Sequence, residues 1–471
     1  MTQAMQLIDS LRAEDMTVHV SIDGGGGLWS APEQWPVPLN LGVTLSAPNV
    51  HFLAPADYNF GVLNGVCEAE LATAFRVQQF DSQDQATVTL EGEPSGDGGY
   101  LYIGIPTGVS PADHDFSVAL DDSSVLPIED GDADAGVDGL YPLPLIVRQA
   151  WLSATCEDIA VGAGGSLTLG PGPVHLGSWD GRRAVNASQG GGLSCIGEPS
   201  RPAQVWDVGE GALQIDSVRI GVALAYCDAT LVNAPSIGRN PDGGINSCPG
   251  QPLTDDVGIE VGQSAHLVFG EDSERALVQC QQLAGILVDR GQGAAAPVVA
   301  VSGDIRNVGC YGLEAFAGSV DLRGSTVEYC DTGIWVGGNV RLRLGGDPGS
   351  DGQSIVGCIS LRERENAPGV QCMDPDIDGV YGPMGAALVN SGSLTVDAEG
   401  VLWPQWDRES RAPPIWECPD GGYTECRCVS GSCIDAGGIS LYEMDTVAVF
   451  VEGNLTPFFF DGGGQAPMSC K

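Results

Sequence analysis

Two acidic segments have the residue types and the spacing of calcium-binding loops. The clearer one is Asp374-Pro-Asp376-Ile-Asp378-Gly379, in which carboxylates occupy alternate positions and a glycine follows the third. This is the first half of an EF-hand loop, where carboxylates bind the ion and the glycine permits a sharp turn. The position at which an EF-hand supplies a glutamate is Gly385 here, so the second half of the pattern is missing. The segment therefore predicts either a weak calcium site or a solvated acidic loop.

A looser version of the same pattern lies in Asp130-Gly-Asp132-Ala-Asp134-Ala-Gly136-Val-Asp138. Its glycine comes one position late for the EF-hand turn, while Asp138 adds a fourth carboxylate. The same two interpretations apply to Asp130, Asp132, Asp134 and Asp138. Calcium is the one cofactor that the sequence suggests.

Adjacent carboxylates at Asp255 and Asp256 are weak candidates for catalysis. Paired carboxylates act as general acid and base when glycosidic bonds are hydrolysed. Polygalacturonases combine such a pair with Gly-His-Gly and Arg-Ile-Lys motifs, neither of which occurs here, and Lys471 is the only lysine. We expect these two residues to form a turn at the start of a strand, and the catalytic residues of any activity remain unknown.

Four arginines suggest a second kind of polysaccharide chemistry. A lyase needs an arginine or lysine base close to acidic calcium ligands, and arginines stacked on adjacent strands would supply one. The candidates are Arg306, Arg323, Arg341 and Arg343. The simpler interpretation is that they pair with carboxylates on the surface of an acidic protein.

Cysteine and tryptophan residues carry further structural signals. Cys418, Cys426, Cys428 and Cys433 do not have the paired C-x-x-C spacing of zinc knuckles, so they predict disulfides that staple the loop 418–433. Tryptophans could form sugar-binding platforms, although aromatic side chains more often fill cores or cap ends. The tryptophans considered are Trp29, Trp35, Trp403, Trp406 and Trp416.

Composition excludes several classes of protein. The 471 residues include 62 acidic and 20 basic side chains, a net charge of −42, which opposes binding to nucleic acid or to an anionic membrane. The chain contains no apolar run long enough for a transmembrane helix. Fifteen cysteines favour an oxidising compartment, so we expect a secreted or cell-surface protein whose leader has been removed.

Short strand-like runs separated by turns rich in Gly, Asp, Asn and Pro extend along most of the chain. Residues 1–16 are the exception, because their apolar residues fall on one helical face and predict a short capping helix. A unit of strand, cysteine, glycine turn and strand recurs around Cys280, Cys310 and Cys330, and Cys358 carries its first half. Repeats of 20–30 residues with a small residue at each corner predict a solenoid whose cysteines stack or bond between coils.

Residues 5–53 resemble the opening of a bacterial right-handed parallel β-helix family of unknown function. The resemblance is carried by the helix Ala4–Leu11, the strand Thr17–Ile22, the glycine turn 24–27, Trp35-Pro-Val-Pro-Leu39 and Gly42-Val-Thr-Leu45. Later segments are similar in style to the pectate-lyase-like superfamily without any diagnostic motif. The resemblance implies the fold and leaves the activity open.

These observations predict an all-β chain, a right-handed parallel β-helix at 17–460 with an N-terminal cap at 1–16. A loop-rich insertion at 57–145 and a C-terminal tail at 461–471 complete the expected organisation. The predicted function is a structural or adhesive protein of the cell exterior, stabilised by calcium, with a polysaccharide or cell-surface component as partner. Two alternatives stay open: a polysaccharide lyase or glycoside hydrolase on the same fold, and a non-catalytic carbohydrate-binding protein. The oligomeric state is not predicted.

Overall fold

A computed structural model shows strands in every part of the chain that it describes, and no helix. The chain divides into two compact units, Met1–Pro235 and Ser236–Lys471, which are called unit 1 and unit 2. The structure describes residues 18–21, 28–29, 37–39, 43–52, 62–63, 66–67, 73–79, 87–92, 99–104, 117–120, 141–142, 144–153, 157–177, 191–209, 213–216, 218, 220–238, 255–271, 276–289, 295–306, 308–322, 324–328, 330, 332–344, 355–357, 386–390, 415–417, 427–430 and 448–451.

The described strands of unit 1 are short. They are β1 (Val18–Ser21), β2 (Leu28–Trp29), β3 (Val37–Leu39), β4 (Val43–Ser46), β5 (His51–Phe52), β6 (Val62–Leu63), β7 (Val66–Cys67), β8 (Thr73–Gln79), β9 (Val88–Glu91), β10 (Leu101–Gly104), β11 (Ser117–Leu120), β12 (Tyr141–Pro142), β13 (Leu145–Arg148), β14 (Ala150–Ser153), β15 (Glu157–Val161), β16 (Ser166–Leu169), β17 (Val174–Gly177), β18 (Gly191–Ile196), β19 (Ala203–Asp207), β20 (Leu213–Asp216), β21 (Ile220–Ala225) and β22 (Cys227–Leu231).

Three parallel ladders organise unit 1, and the chain visits them in rotation. The first ladder runs β1-β4-β9-β13-β16-β19-β22, the second runs β2-β5-β10-β14-β17-β20, and the third runs β3-β8-β11-β15-β18-β21. Each set of three successive strands therefore forms one coil that lies on the coil before it. Two antiparallel pairs, β6 with β7 and β8 with β12, lie outside this pattern.

Unit 2 repeats the same arrangement with longer strands. Its strands are β23 (Ser236–Ile237), β24 (Asp255–Val261), β25 (His266–Phe269), β26 (Ala276–Gln279), β27 (Gln281–Val288), β28 (Val298–Val301), β29 (Gly303–Arg306), β30 (Tyr311–Asp321), β31 (Thr326–Glu328), β32 (Thr332–Arg343), β33 (Ile355–Gly357), β34 (Ala386–Asn390), β35 (Ile415–Glu417), β36 (Arg427–Ser430) and β37 (Ala448–Val451).

The ladders of unit 2 are parallel as well. One runs β25-β28-β30-β32, a second runs β23-β26-β29-β31-β33, and a third runs β24-β27-β30-β32-β34-β37. Strands β30 and β32 each turn a corner and so belong to two ladders. Strand β35 pairs in parallel with β37 and antiparallel with β36.

The core of each unit consists of the inward-facing residues of the coils. In β13, Leu145 and Val147 are fully buried, and they pair in register with the buried Leu167 and Leu169 of β16. Side chains alternate between the two faces of a strand, so one coil offers an apolar inner face that only the neighbouring coils can cover. This requirement explains why the coils stack, and it is the physical basis of a solenoid.

A column of glycines accounts for the predicted cysteine–glycine repeat in unit 2. A Cβ on Gly285 would lie 2.7 Å from the carbonyl oxygen of Gly312, and one on Gly312 would lie 2.6 Å from that of Gly333. Real Cβ atoms do not approach an oxygen so closely, so each coil needs glycine at this register position. Strand, cysteine and strand follow one another as predicted around Cys280 and Cys310, but the predicted glycine turn is wrong, because Gly285 lies inside β27 and Gly312 lies inside β30.

The described residues confirm an all-β chain with long parallel sheets, compatible with a parallel β-solenoid. The predicted N-terminal cap at 1–16 and the tail at 461–471 lie outside the described residues. Within 57–145, strands β8 to β11 pair into the parallel ladders, while the segments between them are not described.

Candidate functional site

An exposed tryptophan lies on the middle one of three adjacent strands of the first ladder of unit 1. Ala203 and Val205 of β19 point into the core, so Gln204 and Trp206 point outward, and both are exposed. Trp206 pairs in register with Thr168 of β16 on one side and with Thr230 of β22 on the other. The indole therefore has a hydroxyl-bearing side chain on each neighbouring strand, at the strand spacing of about 4.8 Å.

A second row of polar side chains runs beside the first. Gln204 pairs in register with Ser166 of β16 and with Asp228 of β22, and Gln204, Asp228 and Thr230 are all exposed. Val208, just beyond β19, is 42% exposed. We call the outward side chains of Thr168, Gln204, Trp206, Val208, Asp228 and Thr230 the Trp206 face.

Buried polar contacts hold the strands of this face in position. The Asp207 carboxylate is only 6% exposed and accepts hydrogen bonds from the backbone N–H of Val232 at 2.8 Å and of Asn233 at 3.0 Å. The Asn233 side-chain amide donates to the Asp207 carboxylate and to the Asp207 carbonyl oxygen, both at 2.9 Å. These bonds connect the end of β19 to the turn after β22, and so fix the two strands that carry the face.

A different aromatic group occupies the second ladder of unit 1. Tyr102, Trp151 and His175 are in register on β10, β14 and β17. The Trp151 ring stacks on His175 with centroids 4.7 Å apart and on Tyr102 with centroids 6.5 Å apart, and Tyr100 meets both Trp151 and His175 edge-on. Because the half-buried indole of Trp151 stacks with rings on both neighbouring strands, this aromatic stack joins coils.

Burial in this stack changes the acidity of its tyrosines. Burial raises the pKa of the Tyr100 hydroxyl above its ordinary value of 10.0, and the nearby Tyr102 raises it further. Burial also raises the pKa of Tyr102. Both side chains are therefore neutral hydrogen-bonding groups across the physiological range.

Arg306, one of the four arginines considered for lyase chemistry, lies in an ion-paired cluster of unit 2. Its Nη2 lies 2.8 Å from Oδ2 of Asp304 on the same strand, and its Nε lies 3.9 Å from Oε2 of Glu328 on β31. Arg306 pairs in register with Gln279 on one side and Glu328 on the other. A guanidinium held between two carboxylates neutralises part of their charge, so the contacts of Arg306 are those of a structural ion pair.

The other arginine candidates among the described residues lie on a different strand. Arg341 and Arg343 are exposed on β32, and Arg323 lies outside the described residues. In unit 1, Arg148 forms an equivalent link between coils, because its Nε donates to Oε2 of Glu91 at 2.6 Å.

Disulfides connect coils in the described residues. Cys195 of β18 bonds to Cys227 of β22 across a sequence separation of 32, which joins one coil to the next. Cys280 and Cys310 are both disulfide-bonded, while Cys330 is a buried thiol whose Sγ lies 3.4 Å from the Glu328 carbonyl oxygen. Among the recurring cysteines Cys280, Cys310 and Cys330, two are therefore bonded and one packs as a small core residue, and both outcomes were expected.

Most of the site residues predicted from sequence lie outside the described residues. Asp255 and Asp256 are the first two residues of strand β24 and do not form the expected turn, and their side chains are not described. Trp29, Trp416 and Cys428 lie on β2, β35 and β36 without described side chains. The remaining predicted residues lie outside the described residues: Asp130, Asp132, Asp134, Asp138, Asp374, Asp376, Asp378, Cys418, Cys426, Cys433, Trp35, Trp403 and Trp406.

The fold and these surfaces define the chain as an all-β protein built from long parallel sheets. Comparison with protein-family models, with curated proteins and with solved structures finds no match. No helix among the described residues is long and apolar enough to cross a membrane. Within that same part of the chain, no three His, Cys, Asp or Glu side chains are grouped so that they could hold a metal ion.

The sequence analysis missed the Trp206 face and the Tyr102–Trp151–His175 stack. For Trp206 a signal existed, because the alternation in Ala-Gln-Val-Trp-Asp places the indole opposite two small apolar residues. For the stack there was little signal, since the three aromatic residues belong to coils of very different length. Only the register of the ladders brings them together.

Proposed function

We propose that the chain is a right-handed parallel β-helix protein that acts outside the cytosol in a structural or adhesive role. The observation that carries this proposal is the Cys195–Cys227 disulfide between adjacent coils. Disulfides of this kind persist in oxidising compartments and are rare in the cytosol. A net charge of −42 keeps such a protein soluble and separate from other acidic surfaces.

The outward side chains support a structural role over a catalytic one. Several described charged and aromatic groups pair with groups on the adjacent coil, as Arg148 does with Glu91 and Trp151 with His175. Such pairs stabilise the stacking of coils. Calcium bound by the acidic segments at 130–138 and 374–379 is part of the proposal and would make the loops that contain them more rigid.

The experiment that tests the proposal follows the native protein and its effect on polymers. Fractionation of the producing cells should find the protein at the cell surface or in the medium, with Cys195 bonded to Cys227 by peptide mapping. The purified full chain should bind those cells and release no reducing ends from neutral or acidic polysaccharides, with calcium or with a chelator. A cytosolic location with reduced cysteines would refute the proposal.

Release of reducing ends from one polymer would instead establish the lyase or hydrolase alternative. Calcium is tested in the same preparation by comparing Asp376→Ala with the unchanged chain. We expect calcium to raise the unfolding temperature of the unchanged chain more than that of the variant. Equal shifts in both proteins would remove calcium from the proposal at this site.

A further inference from the structure

We propose that the Trp206 face binds a neutral polysaccharide, with one sugar ring stacked on the indole of Trp206. This inference rests on the adhesive role proposed above and supplies its ligand. It concerns three adjacent strands of unit 1, β16, β19 and β22, whose positions are fixed by parallel pairing and by the Asp207–Asn233 bonds.

The indole of Trp206 is exposed. Trp206 is 36% exposed, and no hydrogen bond or ring contact with another described residue engages its side chain. Trp151 shows the contrast, because its ring faces are against Tyr102 and His175. An indole with an available face can stack on the C–H face of a pyranose ring, which is the apolar side of a sugar.

Hydrogen-bonding side chains surround the indole. Thr168 and Thr230 lie on the adjacent strands in register with Trp206, and the Gln204 amide lies two residues away on the same strand. Hydroxyl and amide groups both donate and accept hydrogen bonds. A ring with an apolar face and hydroxyl groups at its rim matches this arrangement, whereas a purely apolar ligand would leave these polar groups unpaired.

The exposed side chains of this face form a strip across three strands. Thr168, Trp206 and Thr230 are in register on β16, β19 and β22, about 4.8 Å apart from strand to strand. Val208, just beyond β19, extends the exposed apolar area beyond the indole. A strip that continues from strand to strand suits an extended chain of sugars, whereas a small molecule usually binds in a concave pocket.

The negative charge of the protein favours a neutral polysaccharide over an acidic one. Asp228 is the charged residue of the face, and the whole chain carries a net charge of −42. Uronic acids and sulfated sugars would be repelled by this field. Neutral glycans do not experience this electrostatic repulsion.

The test is affinity electrophoresis and calorimetry of the full, disulfide-bonded chain. The neutral probes are mixed-linkage β-glucan, xylan and galactomannan, and the acidic probes are polygalacturonate and alginate. The variants are Trp206→Ala, Trp206→Tyr and the matched control Val298→Ala. Val298 is an exposed apolar residue at an outward position of β28 in unit 2, 45% exposed.

We expect at least one neutral probe to bind, with affinity reduced at least about tenfold by Trp206→Ala, partly retained by Trp206→Tyr and unchanged by Val298→Ala. Equal unfolding temperatures of the variants establish that the loss is local. The inference is overturned if only acidic probes bind, if no probe binds, or if Trp206→Ala binds as well as the unchanged chain. It is also overturned if sedimentation shows that Trp206→Ala converts a dimer into a monomer without any effect on glycans.

These failures differ from a failure of the proposed function. If Trp206→Ala binds the producing cells as strongly as the unchanged chain, the adhesive role stands and the Trp206 face is not its surface. If the unchanged chain binds neither the cells nor any glycan, the adhesive role and its ligand both fail.

Discussion

The carboxylate of Asp207 accepts a 3.0 Å hydrogen bond from the backbone N–H of Asn233, which lies beyond the end of the adjacent strand. A buried carboxylate without donors would be costly, but this one receives three hydrogen bonds from Val232 and Asn233. The same carboxylate is the acceptor for two backbone N–H groups in the turn after β22. One side chain therefore satisfies the polar groups of two coils.

Replacement of Asp207 by alanine is expected to lower the free energy of unfolding by about 1–3 kcal/mol, because the N–H groups of Val232 and Asn233 lose their acceptor. Urea denaturation measures the change. Asp207→Asn should have a smaller effect, since one oxygen still accepts. The control is Glu198→Gln, because Glu198 is exposed and its removal should change stability little. Equal effects at both positions would contradict the assigned role of Asp207.

The Cys195–Cys227 disulfide closes a loop with a sequence separation of 32. The chain-entropy relation for a loop of that length gives a stabilisation of about 3–4 kcal/mol, mainly through the unfolded state. Combined Cys195→Ala and Cys227→Ala substitutions should therefore move the urea midpoint down by a corresponding amount. With reductant added to both proteins, most of the difference should disappear. A variant with the midpoint of the unchanged chain in oxidising buffer would show that the bond adds no stability.

Burial of Tyr100 and Tyr102 predicts a loss of stability at alkaline pH. Their pKa values are raised in the folded protein, so the folded state favours the neutral phenols. The contribution is fully present below the ordinary pKa of 10.0 and is lost as the pH rises through the folded values, because the unfolded chain ionises first. Stability should fall more steeply above pH 10 in the unchanged chain than in the Tyr100→Phe, Tyr102→Phe double variant.

Unfolding by urea at a series of pH values measures this difference. The two proteins should have similar pH dependence at neutral pH, which is the internal control. Tyrosinate absorbance of the folded chain should also show the two tyrosines ionising late. If the free energies of unfolding of the two proteins fell with the same slope above pH 10, the hydroxyls of Tyr100 and Tyr102 would not resist ionisation in the folded chain.

The repeat was predictable from sequence because its causes are local. Gly285 and Gly312 recur at one register position because a Cβ there would meet the backbone of the next coil, and Cys280 and Cys310 precede them in the sequence. Alternation of buried and exposed residues, as in Ala203–Asp207, also appears directly in the sequence. These local signals were sufficient to predict the stacked parallel coils.

The surface could not be predicted in the same way, because it depends on register between coils of unequal length. Trp206 acquires its neighbours Thr168 and Thr230 from strands on either side, at unrelated distances along the chain. The same holds for Arg306, whose partner Glu328 is on another strand. The sequence motifs instead indicated Asp255, Asp256 and the acidic loops, because a motif consists of residues that are close together in the sequence.

Arg306 gives a prediction that separates a structural from a catalytic role. Arg306→Leu removes the guanidinium that neutralises Asp304 and Glu328, and the Glu328 side chain is only 10% exposed. We expect the free energy of unfolding to fall by about 1–3 kcal/mol, since removing one partner leaves buried negative charge uncompensated. Adding Glu328→Gln to that variant should restore part of the loss, which a double-mutant cycle measures as coupling.

Arg341→Leu is the matched control for Arg306→Leu, because Arg341 is an exposed arginine on β32 of the same unit. A surface substitution of this kind usually changes stability by less than about 0.5 kcal/mol. Equal losses for the two arginine variants would show that the Arg306 ion pairs contribute little. If polysaccharide cleavage were detected and only Arg306→Leu abolished it while stability stayed constant, Arg306 would be a catalytic residue and the structural interpretation of this cluster would be wrong.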